Sequence, residues 1–353
     1  MISLSPDILT MTDEAAVLVK NGRLVYANKT AEDVLGSDWS EKTVRDIFGE
    51  EIANSQASSF AAALPVCGQQ QIVRVSRISG GAAIFFTRVR PEIPLLNEAY
   101  LAAMRASLQN LSLALDAGRT RAEDLDDRPL RDCFTALTRN YFRLNRLLSN
   151  ITAARGVLSH ELPVTFGAVD LSGMCAAIAD SVNILRPGVE LRFHCSEEIC
   201  LWGDAALLET LLLNLLSNCL VHADGLTAIE LRLSATKERV LLALSDNGAG
   251  IPPEQLSSVF SRFRSGPTLR DMARGAGYGL TVVRGVAEAH GGTLLLESRP
   301  GIGTSVRVSL SRKLGAEGAL REPAQPYVGN MVTLLTGLSD CLDEACFCEK
   351  YFD

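Results

Sequence analysis

The sequence NLLSNCLVH, residues 214–222, is the stretch on which the reading of this chain turns. Asn214, Asn218 and His222 fall at i, i+4 and i+8, so on a helix they share one face, while Leu211, Leu212, Leu215, Leu216 and Leu220 supply apolar bulk around the rest. Two further polar clusters interrupt apolar segments downstream. DNGAGI, Asp246–Ile251, follows the strand-like run VLLALS and turns the chain back sharply. GAGYGL, Gly275–Leu280, opens a helical pattern that runs to His290 and is closed by Gly291 and Gly292.

Together the three clusters resemble the N, G1 and G2 boxes of the ATP-binding domain shared by sensor histidine kinases, DNA gyrase, the 90-kDa heat-shock chaperones and MutL mismatch-repair proteins. VFSRF, Val259–Phe263, falls where histidine kinases carry an F box. The resemblance implies a site for ATP and Mg2+. Magnesium prefers hard oxygen ligands and keeps several waters, which suits an amide oxygen, and by resemblance Asn218 is that ligand. Asn214 lies one turn earlier, where hydrolytic relatives such as gyrase carry a glutamate that activates water; an amide is a poor base, so the pocket looks like that of a kinase. His222 either contacts phosphate or caps the helix end. Asp246 is expected to accept a hydrogen bond from the adenine amino group, with Gly248 and Gly250 letting the backbone approach the ring; a plain Asn-Gly turn is the bland alternative. Arg264, with Arg262, Arg270 and Arg274, lies in a segment resembling the mobile ATP lid. Gly275, Gly277, Gly279 and Leu280 then present backbone N–H groups to phosphate at a helix start.

Composition sets outer limits. A chain of 353 residues with 47% hydrophobic residues can bury sizeable cores in two to four domains, and a net charge of -7 gives no support to nucleic-acid binding. Apolar runs are interrupted short of a bilayer span, and the N-terminus lacks a basic stretch followed by an apolar one, so a soluble cytoplasmic protein without membrane insertion is expected. The nine cysteines show no framework pattern. Cys133, Cys175 and Cys219 read as reduced, core-filling thiols, and Cys341, Cys346 and Cys348 as free thiols, their spacing matching no zinc pattern.

The expected architecture is multidomain α+β. Residues 1–92 resemble a small PAS-like α/β sensor module: AVLVKNGRLVYANKTAEDVLG reads as strand, tight turn at Asn21-Gly22, strand and short helix ending at Gly36, with Asn28 closing the second strand. QIVRVSRI and AAIFFTRV read as later strands of the same sheet, and no motif assigns it a bound chemical group. Residues 93–155 read as a helical hairpin. Leu101, Met104, Leu108, Leu111 and Leu115 form a seam; the polar segment Asp116–Arg128 breaks it, and Pro129 restarts a second helix through Leu130, Cys133, Leu137, Tyr141, Leu144, Leu148 and Ile151. Two copies could pair as a four-helix bundle, which implies a homodimer. Residues 156–313 form the α/β-sandwich ATP-binding domain of the histidine kinase/gyrase type. Residues 314–353 form a linker and a last helix, with Met331, Leu335, Leu338, Leu342 and Ala345 as an apolar seam that docks on its own domain or on a partner.

One departure from the family matters more than the resemblance. Its phosphorylated histidine projects from the first hairpin helix, and here no histidine occurs between Met1 and Ser159. Alignment of MRASLQNLSLAL with the family motif puts Ala106 at the histidine position, Ser107 at its acidic neighbour and Leu111 at the proline. Alanine has no nucleophilic nitrogen. SHELP, Ser159–Pro163, spells most of the motif, but about 54 residues separate His160 from Asn214, and a helix-like and a strand-like segment must fit between them. His160 therefore reads as part of the link into the ATP domain. The expected function is a histidine kinase-like signalling protein that binds Mg-ATP and passes any phosphoryl group to a partner. A catalytically silent nucleotide-binding scaffold acting on a partner kinase or response regulator is the alternative.

Overall fold

The computed structural model describes residues 12, 14–54, 59–67, 69–78, 81–88, 98–159, 161–252, 278–312, 327 and 329–348. At the N-terminal end, β1 (Ala15–Lys20) and β2 (Arg23–Ala27) meet at Asn21 and Gly22, whose φ values of 52° and 75° are what a two-residue hairpin turn requires. Asn28 closes the second strand as expected. Its Oδ1 accepts from the N–H groups of Ala16 (3.0 Å) and Ala31 (2.9 Å), and its Nδ2 donates to the Glu14 carbonyl (2.8 Å), so one buried amide ties β1 to the start of α1 (Lys29–Leu35). After α2 (Val44–Asn54), kinked at Gly49, come β3 (Ser59–Val66), β4 (Gln69–Ile78) and β5 (Gly81–Arg88). The strand order is β2-β1-β5-β4-β3. Phe48, Phe60 and Phe86 fill the core beneath, Phe48 meeting Phe86 edge-on at 5.4 Å.

The hairpin follows as α3 (Glu98–Asp124) and α4 (Arg128–Ser159). The expected break at Asp116 does not occur. The first helix continues through Asp124 because Leu115 and Ala122 both find buried seats, and the chain turns only at 125–127, where Asp126 has a φ of 48°. Gly118 allows the two helices to close on each other: a Cβ there would lie 2.3 Å from the Phe134 ring. Pro129 sits in the first turn of α4 as expected, next to an Asp127 carboxylate that accepts from the Leu130 N–H at 3.0 Å. Cys133, expected in the core, is exposed.

The remaining strands and helices form a layered α/β unit. Here β6 (Gly167–Asp170) pairs with β8 (Cys200–Gly203), while β7 (Glu190–Cys195), β9 (Ala228–Ala235), β10 (Arg239–Asp246), β11 (Thr293–Arg299) and β12 (Gly303–Ser311) pair in the order β11-β12-β10-β9-β7. Helices α5 (Leu171–Leu185), α6 (Ala205–His222) and α7 (Gly279–Ala289) cover one face, their leucines and valines meeting the inward Ile229, Leu231, Leu242, Leu244, Val306 and Val308. Contrary to the expectation of interrupted apolar runs, α6, with 18 residues and a mean hydropathy of 1.4, is long and apolar enough to cross a membrane. Its leucines are this layer's core.

The two sheets are joined. Strand β3 pairs antiparallel with β11, from Ala63 opposite Leu294 to Phe60 opposite Glu297, giving one sheet of ten strands. Leu295 packs into the N-terminal core and Ala61 into the α/β core, so each unit contributes a side chain to the other.

The C-terminal segment docks on its own chain. It begins with α8 (Met331–Gly337), capped by Asn330, and ends in a single turn at Glu344–Phe347. The expected seam is corrected: the helix stops at Gly337, where a Cβ would lie 2.7 Å from Leu213, and Ala345 is exposed while Leu334, Cys341, Cys346 and Phe347 are buried with Leu335, Leu338 and Leu342. Phe347 packs on Phe142 of α4 at 5.6 Å. Asp340 accepts from Arg143 Nε (2.9 Å) and from Arg146, both on α4. The Tyr327 hydroxyl donates to Glu209 of α6 (2.5 Å), and Arg186, the residue that caps the end of α5, reaches Asp343 (3.3 Å). This clasp touches three helices at once. On the opposite side, Gly285 of α7 lets Val157 of α4 approach so closely that a Cβ would sit 2.1 Å away.

Candidate functional site

The site is built on α6. Asp204 caps its start, with Oδ1 accepting from the Leu207 N–H (3.0 Å) and Oδ2 from the Thr165 N–H (2.7 Å). Along the helix the three polar residues run from inside to outside: Asn214 is 4% exposed, Asn218 is half-buried and His222 is exposed. The Asn218 Nδ2 is buried without a hydrogen-bond partner among the described residues, the kind of orphaned group that a bound ligand or its hydration shell satisfies.

Gly279, the first residue of α7, lies over this face. A Cβ there would meet Asn214 Oδ1 at 2.9 Å, a contact that would push the Asn214 amide aside, and Asn218 Oδ1 at an ordinary 3.7 Å. Leu280 follows, half-buried. The expected N-box and the end of the expected G2 box therefore meet in space.

Asp246 ends β10 close to the same helix. Its Oδ1 accepts from the Gly248 N–H (3.0 Å) and the Thr304 N–H (3.2 Å), and Cys219 of α6 lies near it, burial first and the carboxylate second holding that thiol protonated. The loop after it is pinned. Asn247 Oδ1 accepts from the N–H groups of Thr227 and Ala228 (both 3.0 Å), and the Ile251 N–H donates to Ser298 Oγ (2.8 Å). The glycines have a packing role of their own: a Cβ on Gly248 would meet Ala223 at 2.5 Å, and Gly250, with φ of 70°, would meet the Arg299 carbonyl at 2.2 Å.

Residues 203–314 match the family of histidine kinase-, DNA gyrase B- and HSP90-like ATPases. The segment belongs to that family. Among curated proteins, 161 residues are 34% identical to the "Probable sensor histidine kinase TcrY" of Mycobacterium tuberculosis, covering 45% of this chain and 34% of that one. Against the sensor-like histidine kinase SenX3 of the same organism, identity is 32% over 138 residues, covering 39% of this chain and 34% of that one. The chain thus spans about a third of the length of these relatives. The crystal structure of the ATP-binding domain of PrrB from Mycobacterium tuberculosis shares 25% identity over 42% of this chain and 97% of that one, with a TM-score of 0.34.

In this ATPase-type domain Gly279 comes up to Asn214 and Asn218, Gly248 bonds Asp246 and packs on Ala223 past the end of α6, and His222 is exposed at that end. Gly275, Gly277, Arg264 and the other lid arginines, together with Val259–Phe263, lie outside the described residues, as does His160.

Two residues of the neighbourhood escape a sequence reading. The first is Asn150 on α4, whose Nδ2 donates to Asn214 Oδ1 while Asn214 Nδ2 donates to Asn150 Oδ1, both at 3.2 Å. Nothing in the apolar period of α4 marks it. The second is His290, read only as a helix end. It is buried, its Nε2 accepting from the Asp204 N–H (2.9 Å) and its Nδ1 donating to the Val286 carbonyl (2.8 Å), so it ties the end of α7 to the start of α6.

That placement has a pH consequence. Burial, outweighing the Val286 contact and the Asp204 charge, lowers the His290 pKa below its ordinary 6.5. The unfolded chain then binds the proton more readily than the folded one. Stability present above pH 6.5 is lost as the pH falls through the lower folded value. Urea midpoints are expected to drop across that window, and His290→Gln to flatten this part of the drop; an equal slope in the variant would remove the assignment.

Proposed function

We propose that this chain is a histidine kinase-like signalling protein that binds Mg-ATP between α6, the Asp246–Ile251 loop and the start of α7. When bound, ATP supplies a phosphoryl group and Mg2+ neutralises the charge that develops as it moves. Asn218 holds the metal through its amide oxygen. Asp246, with one carboxylate oxygen occupied by its own loop, offers the other to the adenine amino group. The N-terminal end of α7, with Gly279 and Leu280, and the segment carrying Gly275, Gly277 and Arg264, serve the phosphates. His222, exposed at the end of α6, lies on the phosphate side of the metal ligand. Asn214 is an amide where a hydrolase needs a base, which favours transfer over loss to water.

The observation that carries the reading is the exposed Ala106 on α3 in a stretch without histidine. The hairpin cannot carry phosphohistidine, so the acceptor in this reading belongs to another protein, a response regulator or a partner kinase, on the cytoplasmic side where ATP is found. Met104, Leu111, Leu137 and Leu144 are exposed on α3 and α4 at seven-residue spacings, and a second copy of the chain would cover them. Light scattering on the full chain is expected to report a dimer that Leu111→Glu with Leu144→Glu converts to monomer; a monomeric parent would end that part of the reading.

The second reading, a nucleotide-binding scaffold that transfers nothing, is favoured by one feature: the clasp and Asn150 hold α4 against the ATPase-type domain. Labelled ATP separates the two. Transfer of label to a response regulator or partner kinase, with none to the chain alone, is the expected result. Nucleotide binding with no transfer to any protein partner supports the scaffold and removes the enzymatic reading.

A further inference from the structure

Helix α4 belongs to the hairpin by sequence, yet its last four turns lie along the ATPase-type domain. It is held from two directions. Phe142, Arg143 and Arg146 are gripped by Phe347 and Asp340 of the clasp, and Val157 is seated on Gly285 of α7. Between these anchors, Asn150 faces Asn214.

Both N–H groups of the Asn214 amide and one lone pair of its oxygen are engaged by this arrangement. Its Nδ2 donates to the Thr210 carbonyl (2.9 Å) and to Asn150 Oδ1, and its Oδ1 accepts from Asn150 Nδ2. Two amides exchanging hydrogen bonds each use the other's donor and acceptor, which fixes both orientations. One turn further on, the buried Asn218 Nδ2 has no partner among the described residues. The two asparagines of one helix face are thus in opposite states: the Asn218 amide nitrogen is unsatisfied, and Asn214 is bonded to the hairpin. Gly279, at the start of α7, faces the same Asn214 Oδ1 that Asn150 occupies.

We propose that Asn150 is a positioning residue of the nucleotide site: from the docked hairpin it holds the Asn214 amide away from the phosphate side of the pocket, so that hairpin docking and nucleotide binding oppose each other. This rests on the nucleotide reading given above. Linkage makes the opposition reciprocal: if α4 weakens nucleotide binding by a given factor, nucleotide weakens α4 docking by the same factor.

The test uses the full chain, with Mg2+ and a non-hydrolysable ATP analogue as the probe. Asn150→Leu removes both hydrogen bonds at similar volume; Asn150→Asp keeps the acceptor and loses the donor. Relative to the parent, Asn150→Leu is expected to bind the analogue about tenfold more tightly, a coupling of ordinary size, with Asn150→Asp between the two. Analogue binding should raise amide hydrogen exchange across residues 143–157 in the parent and raise it less in Asn150→Leu. A residue that merely supports the fold would lower the melting temperature of both variants and would not tighten binding. Equal or weaker affinity in both variants, or exchange across 143–157 that ignores the analogue, overturns the proposal. If the parent itself fails to bind the analogue, and Asn218→Ala changes nothing, the nucleotide reading falls and takes this one with it.

Discussion

Asp246→Asn is expected to lower affinity for Mg-ATP on the order of 100-fold while leaving the fold intact, as hydrogen bonds to charged groups are worth roughly 1.5–3 kcal/mol. The choice of asparagine over alanine follows from the local geometry. Oδ1 of Asp246 receives the Gly248 and Thr304 N–H groups, and an amide oxygen can keep both. The other oxygen becomes an NH2 group, which presents a donor to the donor of adenine. Asp246→Ala would strand the two loop N–H groups as well, so its binding loss would mix recognition with loop collapse. Asn218→Ala addresses the other end of the pocket. Its affinity in Mg2+ is expected to match that of the parent in chelator, because the metal loses its protein ligand while adenine keeps Asp246. Calorimetry with each variant, beside a melting curve, measures both effects; parental affinity in either would show that the residue does not hold the group assigned to it.

The sequence carries these site residues openly because each sits where a local pattern meets an unusual residue. Asn214 and Asn218 interrupt a leucine-rich helix, and Asp246 ends an apolar strand just before a glycine loop. The loop itself is less transparent. Gly248 and Gly250 suggest room for a ring, whereas the coordinates give them immediate neighbours in Ala223 and the Arg299 carbonyl. A glycine announces a close approach without naming what approaches.

Long-range pairing is where the sequence falls short. FAAALPV, within β3, is a weak strand pattern, rich in alanine and carrying Pro65, and β3 was not among the expected strands. It is a strand because β4 lies on one side and β11 on the other, and small residues such as Ala61 and Ala62 suit a surface where two cores meet. Leu295 points to the face of β11 opposite Leu294 and Leu296, and the run of leucines gives no sign that the core it enters belongs to another segment. The same limit applies to α3, where polar residues after Asp116 look like a break until Ala122 is seen to be buried. Asn150 is the extreme case. A polar residue on an amphipathic helix is ordinarily solvated, and only a partner 64 residues away reveals otherwise.

Asp340→Ala should cost about 3 kcal/mol of stability, because it removes one member of a mostly buried charge pair and leaves the other behind. The Arg146 side chain is 11% exposed and that of Asp340 is 16% exposed, so neither recovers full hydration when its partner is lost. Arg143 is different. Its side chain is 46% exposed, and Arg143→Ala should change stability by under about 1 kcal/mol. Replacing both buried partners with apolar residues of similar volume, Asp340→Leu with Arg146→Met, should recover most of the loss, since no uncompensated charge remains. Denaturant midpoints across the four proteins test the series, and a loss of less than about 0.5 kcal/mol in Asp340→Ala would show that the pair is solvated after all. The clasp also predicts where the damage spreads. Arg146 lies one helical turn from Asn150, so when Asp340 lets go, hydrogen exchange should rise along α4 through the residues facing Asn214 before it rises in the sheet.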